Sequence, residues 1–215
     1  MSTGAGRSGS LATAFLVGAL AVLAGAGTVL AEDQPTEDQI LQALKPRLTR
    51  SLTGVPAEPA KAIEERRIID DALRQSRTRS LSSAQREQLA AVAKEKPTID
   101  LEIYFDYKSA TISSKAIPAL ITLGKALSSP DLKGSVFMIA GHTDAKGGEQ
   151  YNLSLSEQRA EAVRRFLIQK FSLSAESLMA IGYGKEQLKD QEHPYAAENR
   201  RVQIVNMAST STAQK

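Results

Sequence analysis

The 215-residue chain has no cysteine. This excludes a disulfide framework, a thiolate metal site and a lipid anchor attached through an N-terminal cysteine. Only two histidines are present, His142 and His193, which leaves little for metal binding. Neither a metal nor another cofactor is expected. Aromatics make up only 5% of the residues, and the mild formal charge of +3 comes from basic residues interleaved with acids. A nucleic-acid face needs a clustered basic stripe. The chain has none, so no nucleic-acid partner is expected. The hydrophobic share of 42% and charged share of 24% are ordinary for a globular protein, and the length suffices for one good-sized domain plus extensions.

Charge is also scarce at the start, where Arg7 is the only charged residue before Glu32. The apolar run LATAFLVGALAVLAGAGTVLA follows it, with Val29 and Ala31 placed three and one residues before Glu32 as at a small-residue cleavage site. The run exceeds an ordinary signal core and is long enough to span a bilayer. Residues 1–31 therefore read as a cleaved signal peptide or, alternatively, as an uncleaved membrane anchor. Gly18, Gly25 and Gly27 lower the hydrophobicity of the run and favour cleavage. Both readings leave Arg7 on the cytoplasmic side and export the rest.

Residues 32–98 read as a charged spacer, helical or partly flexible. The capping-box spacing from Thr36 to Gln39 predicts a short helix through Leu44, stopped near Pro46. Ile63, Ile69 and Leu73 predict one stripe of a helix over about 58–75, and Ser82 to Gln85 repeats the capping box before Leu89 and Val92. Residues 99–207 alternate strand and helix patterns. LEIYF (101–105) is expected as a strand, followed by a helix from Ser113 to about Leu127 with Ile117, Leu120 and Leu123 on one side. SVFMIAG (135–141), SLMAIGYG (177–184) and RVQIVNM (201–207) read as further strands. The β-α-β-α-β-β order implies a two-layer α/β sandwich with helices on one face of a mixed sheet. Residues 208–215 read as a disordered tail.

The helix between the second and third of these strands carries the most information. Within Asn152–Leu167 an apolar stripe runs through Leu155, Val163, Phe166 and Leu167, and Arg159 falls on the same stripe. The spacing of Ser154 and Glu157 predicts that the helix opens there. A guanidinium facing the core is costly unless paired and hydrogen-bonded. Fifteen residues upstream, at the end of VFMIAGHTD, Asp144 lies in a loop with Gly147 and Gly148. The acid and the arginine can pair with each other, or they can receive a ligand bearing both an ammonium and a carboxylate.

The helix fits the pattern N-x2-L-S-x2-R-A-x2-V-x3-L at Asn152, Leu155, Ser156, Arg159, Ala160, Val163 and Leu167. Together with IYFDYKSATI (103–112), GHTD (141–144), GYGK (182–185) and ENRRV (198–202), it resembles the OmpA-like peptidoglycan-binding domain. That domain is shared by outer-membrane porin tails, wall-associated lipoproteins and flagellar stator proteins. The resemblance covers about 99–207 and implies that Asp144 and Arg159 bind the meso-diaminopimelate of the peptidoglycan stem. Thr143, Asn152, Ser156, Arg200 and Lys108 are expected as supporting residues: Asn152 as an organiser of the loop, Ser156 to cap or orient, and Arg200 to brace Asp144 or a carboxylate. Arg201 is expected to be a solvated charge and His142 a packed polar residue. Where the family usually has asparagine this chain has Lys108, which cannot accept hydrogen bonds.

The expected function is non-catalytic wall binding in the periplasm or cell envelope, associated with the outer membrane. Residues 32–98 are expected to meet an envelope or membrane partner. No porin barrel is expected there, because the repeated ten-residue alternation is lacking. One alternative is a stator-like tether in the inner membrane, although the span 11–31 has no ionisable residue for ion coupling. The other is a wall-cleaving enzyme, for which Asp106 with Asp144 is a conceivable carboxylate pair that nothing favours.

Overall fold

The computed structural model describes residues 34–46, 60–106 and 108–208. The expected signal peptide or anchor over 1–31 lies outside the described residues, as does the expected tail from 209 onward. Among the described residues no helix is long and apolar enough to cross a membrane.

The elements in chain order are α1 (Glu37–Leu44), α2 (Ala60–Gln75), α3 (Ser83–Ala93), β1 (Thr98–Leu101), α4 (Ile117–Leu127), β2 (Phe137–His142), α5 (Glu149–Phe171), β3 (Leu178–Gly184) and β4 (Val202–Asn206). The four strands form one mixed sheet in the order β1-β4-β2-β3. β4 runs antiparallel to β1 and β2, and β2 parallel to β3. The β-α-β-α-β-β order is as expected, and α4 and α5 share one face. Leu120, Leu123, Val163 and Leu167 pack there with Ile139, Leu178 and Ile204.

Helix α1 joins the same core through Ile40 and Leu44. Both expected capping boxes form, Thr36 with Gln39 and Ser82 with Gln85. Asn206 donates to the Leu44 carbonyl at 2.9 Å and so ties the end of α1 to β4. The other face of the sheet is covered by α2 and α3. Ile69, Ala72, Leu89 and Ala93 pack there against Met138, Met179, Ile181 and Tyr183. Strands β2 and β3 are therefore buried along their whole length, which explains their nearly continuous apolar sequence.

Three local expectations are corrected. Ile63 is 49% exposed rather than part of the α2 stripe. Six residues of helix rotate Ile69 well away from it, whereas Ala72 shares the buried side. The strand expected over 101–105 ends at Leu101, whose partner Val202 is the first residue of β4. Beyond that point no ladder partner remains, although Ile103 stays buried and Phe105 bridges Ile112. Finally, α5 begins at Glu149 behind Gly148 rather than at Ser154. The Ser-x-x-Glu spacing lies inside the helix, where the Ser154 hydroxyl accepts from Gln158 instead of capping.

The seating of α5 on β2 and β3 depends on missing side chains. A β-carbon at Gly182 would lie 2.6 Å from the Glu157 amide nitrogen and 2.7 Å from Ser156 Oγ, and one at Gly141 would collide with the Ser156 carbonyl. Gly182→Ala should therefore destabilise the fold by about 1–3 kcal/mol, read by chemical denaturation. Gly148→Ala, with φ −74 and no atom near the added carbon, should change stability by less than about 0.5 kcal/mol. Equal effects of the two substitutions would refute this account of the contact.

Candidate functional site

Four segments converge on one cleft of about 1100 Å³. The loop from β2 to α5 contributes Thr143, Asp144, Lys146, Gly147 and Gly148, and the first turns of α5 contribute Tyr151, Asn152, Leu155 and Arg159. The excursion between β1 and α4 adds Phe105, Asp106 and Lys108, and the β3–β4 loop adds Tyr195 and Arg200. All the expected site residues lie in this lining except Ser156.

Asp144 follows directly from the end of β2. One of its carboxylate oxygens accepts from the Lys146 amide at 3.0 Å, and the other accepts from Arg200 Nη1 at 2.9 Å. The expected brace from Arg200 is thus present. The alternative in which Asp144 pairs with Arg159 is not what forms. Arg159 is half-buried, donates from Nε to the Ser109 carbonyl at 3.0 Å, and lies 4.9 Å from the centroid of the Phe105 ring. Its Nη atoms make no hydrogen bond or ion pair with a described residue. Burial lowers the pKa of the guanidinium. Tyr151 and Asp144 oppose that shift, and Arg200 adds to it. An arginine so far above neutral pH stays charged.

The supporting residues divide by role. Asn152 is buried and donates to the Lys146 carbonyl at 3.0 Å, which holds the loop as expected of an organiser. Thr143 is buried and donates its backbone N–H to Gly184 at 2.8 Å. Ser156 is fully buried, donates to the Leu153 carbonyl and accepts from the Gly184 amide at 2.8 Å, so it fastens helix to sheet beneath the cleft. The helix N-terminus expected near Ser154 is at Glu149, and Gly147 and Gly148 just before it line the cleft. Arg201 is not a solvated charge. Its side chain is only 10% exposed and pairs with Asp100 at 3.3 Å. His142 is buried and stacks on Tyr183 with ring centroids 5.5 Å apart, a packed polar residue on the far side of the sheet from α5.

The sequence reading missed Tyr151, Tyr195 and Asn199. Tyr151 precedes the point at which the helix was expected to start, and Tyr195 stands in an irregular loop without periodicity. Asn199 was legible as part of ENRRV but was given no role. It is fully buried, accepts from the amides of Lys189 and Asp190, and donates to the carbonyls of Asp190 and His193. It thereby shapes the loop that carries Tyr195 and Arg200. Among the described residues no group of three histidine or carboxylate side chains could hold a metal.

Lys108 adopts a left-handed backbone, φ +51. Asparagine tolerates that region better than lysine. Lys108→Asn should therefore raise unfolding stability by about 0.5–1 kcal/mol, and a fall would refute the strain. Burial and the nearby Arg201 push His142 down to about 3, against the pull of Asp100. As pH drops below about 6.5, the unfolded chain gains a proton that the folded His142 refuses, so stability falls. At pH 4.5 wild type should lose about 2–3 kcal/mol more than His142→Phe relative to pH 7.5, measured by urea titration. Parallel losses would refute this.

Residues 104–201 match the model of the OmpA family. The peptidoglycan-associated lipoprotein of Pseudomonas aeruginosa is 38% identical over 105 residues, 47% of this chain. That of Legionella pneumophila is 35% identical over 107 residues, 49% of this chain. In both cases the match spans 59% of the relative's own length. The crystal structure of the peptidoglycan-associated lipoprotein from Burkholderia pseudomallei aligns over 53% of this chain and 92% of its own, with 28% identity and a TM-score of 0.41. Over residues 104–201 this chain is similar to the OmpA family.

Proposed function

We propose that this protein binds peptidoglycan without catalysis, through the meso-diaminopimelate of the peptide stem, and so links a cell-envelope protein or membrane to the wall. The observation that carries this reading is the state of Arg159. It is held in place by Ser109 and Phe105, its Nη atoms have no partner among the described residues, and it shares a cleft with Asp144. A planar guanidinium fork suits bidentate capture of a carboxylate. A carboxylate oxygen has spare lone pairs, so Asp144 can accept an ammonium while Arg200 still flanks it. The backbone N–H groups at the start of α5 add a positive dipole end beside the loop. The names of the relatives point to the same polymer.

In this reading the chain is exported by residues 1–31 and works in the periplasm, on the wall side of the outer membrane. Any envelope partner of 32–98 would meet the outer surface of α2 and α3, because their inner surface is occupied by the sheet.

Asp144→Ala and Arg159→Ala should each reduce retention on diaminopimelate-containing sacculi at least 10-fold, with far-UV spectra unchanged. Each loses a charge-assisted contact of about 1.5–3 kcal/mol. Sacculi cross-linked through lysine serve as the negative control. Wild-type retention by both folded variants would sink the assignment.

A further inference from the structure

The charge of the cleft exceeds what a diaminopimelate head needs. Its lining includes the cations Lys108, Lys146, Arg159 and Arg200 against the acids Asp106 and Asp144, four against two, a surplus of two positive charges. Just outside the lining, Glu149 and Lys185 cancel, and Lys185 is engaged with the Gly147 carbonyl at 3.2 Å. A zwitterionic amino-acid head is neutral and leaves that surplus unchanged. The cleft is also larger than one such head, at about 1100 Å³.

Within the surplus, Lys146 is placed to read a ligand. Its backbone is fixed at both ends, the amide on Asp144 at 3.0 Å and the carbonyl on Asn152 at 3.0 Å. Its ammonium makes no hydrogen bond or ion pair with a described residue, and the residue is exposed at the lip of the cleft. Lys108 lines the cleft from a different segment, the excursion between β1 and α4. In a wall stem the residue before diaminopimelate is a γ-linked glutamate, whose α-carboxylate is left free unless it is amidated.

We infer that the cleft recognises a second carboxylate, the free α-carboxylate of that γ-linked glutamate, through Lys146. This rests on the peptidoglycan reading and extends it to a class of stem, the unamidated one. An exposed ammonium discriminates modestly and is screened by salt, with a Debye length of about 8 Å at 0.15 M.

The test is calorimetric titration of the full chain with two synthetic tripeptide stems ending in meso-diaminopimelate. They differ only in having glutamate or isoglutamine before it. At about 0.05 M salt the isoglutamine stem should bind about 3- to 5-fold more weakly, and the gap should close near 0.5 M salt. Lys146→Gln, a change at an exposed side chain, should abolish the difference between the two stems. Equal affinity of the wild type for both stems overturns this inference alone. Binding of neither stem overturns the peptidoglycan reading and this inference with it.

Discussion

The structure turns on how closely the backbone of α5 approaches β2 and β3. Gly141 and Gly182 leave no room for even one methyl group beneath Ser156 and Glu157, and Gly184 accepts the backbone of Asn152 and Leu153 at a similar distance. Ser156 converts the approach into a bond, because its hydroxyl spans the Leu153 carbonyl and the Gly184 amide. The Gly184 amide and the Ser156 hydroxyl are buried, and satisfying them avoids the desolvation penalty of an unpaired polar group. Asp144 continues the strand that contains Gly141, and Arg159 lies three residues beyond Ser156 on the helix. The distance between the two proposed ligand groups is thus fixed by rigid elements in direct contact. Packed interiors transmit small displacements, so lifting the helix would move Arg159 away from the loop of Asp144.

The charges at the cleft follow from that placement. Arg159 cannot retreat into water, because Phe105 covers its face and the Ser109 carbonyl holds its Nε. Asp144 is nearer to compensation than Arg159 is. Arg200, nearly half exposed, brings a charge at little desolvation expense and takes the carboxylate at 2.9 Å. The result is one acid with a half-exposed partner and one arginine with spare donors. That arrangement suits an incoming zwitterion better than a closed Asp144–Arg159 bridge would, since no strong buried pair has to be broken first.

Most of the fold was legible because its periodicities are strong. The runs of β2 and β3 and the capping boxes at Thr36 and Ser82 all correspond to observed elements. The errors occur where local spacing competes with tertiary contacts. The alternation Leu101, Ile103, Phe105 reads as a strand, yet strand pairing needs a partner, and β4 offers none beyond Val202. The Ser-x-x-Glu box at 154 fits the capping rule, but the true helix start is set by Gly148 and by Asn152 gripping the loop. At the site, the sequence pattern brought Asp144 and Arg159 to one place. It offered Arg200 as a brace for either Asp144 or a carboxylate, and the pairing with Asp144 depends on how a loop between two strands folds back. Asn199 sets that fold with four hydrogen bonds that no short-range pattern encodes.

The helices before the sheet bear on the cleft as well as on the core. Without α2 and α3, the side chains of Met138, Met179, Ile181 and Tyr183 would face water as one apolar strip, since all four lie on the back of the sheet. Burying such side chains contributes about 1.5–3 kcal/mol each, which makes the pair of helices a sizeable share of a marginal total. Their polar link lies near the β3–β4 loop. Arg86 of α3 is 7% exposed and joins Glu186 at 3.2 Å, while the Tyr183 hydroxyl donates to the Arg86 carbonyl at 3.4 Å. Glu186 opens the loop that Asn199 later closes and that presents Tyr195 and Arg200 to the cleft. The layer behind the sheet therefore restrains one wall of the site from the opposite side. Arg86 thus ties α3 to the start of that loop, whose end carries the arginine that braces Asp144.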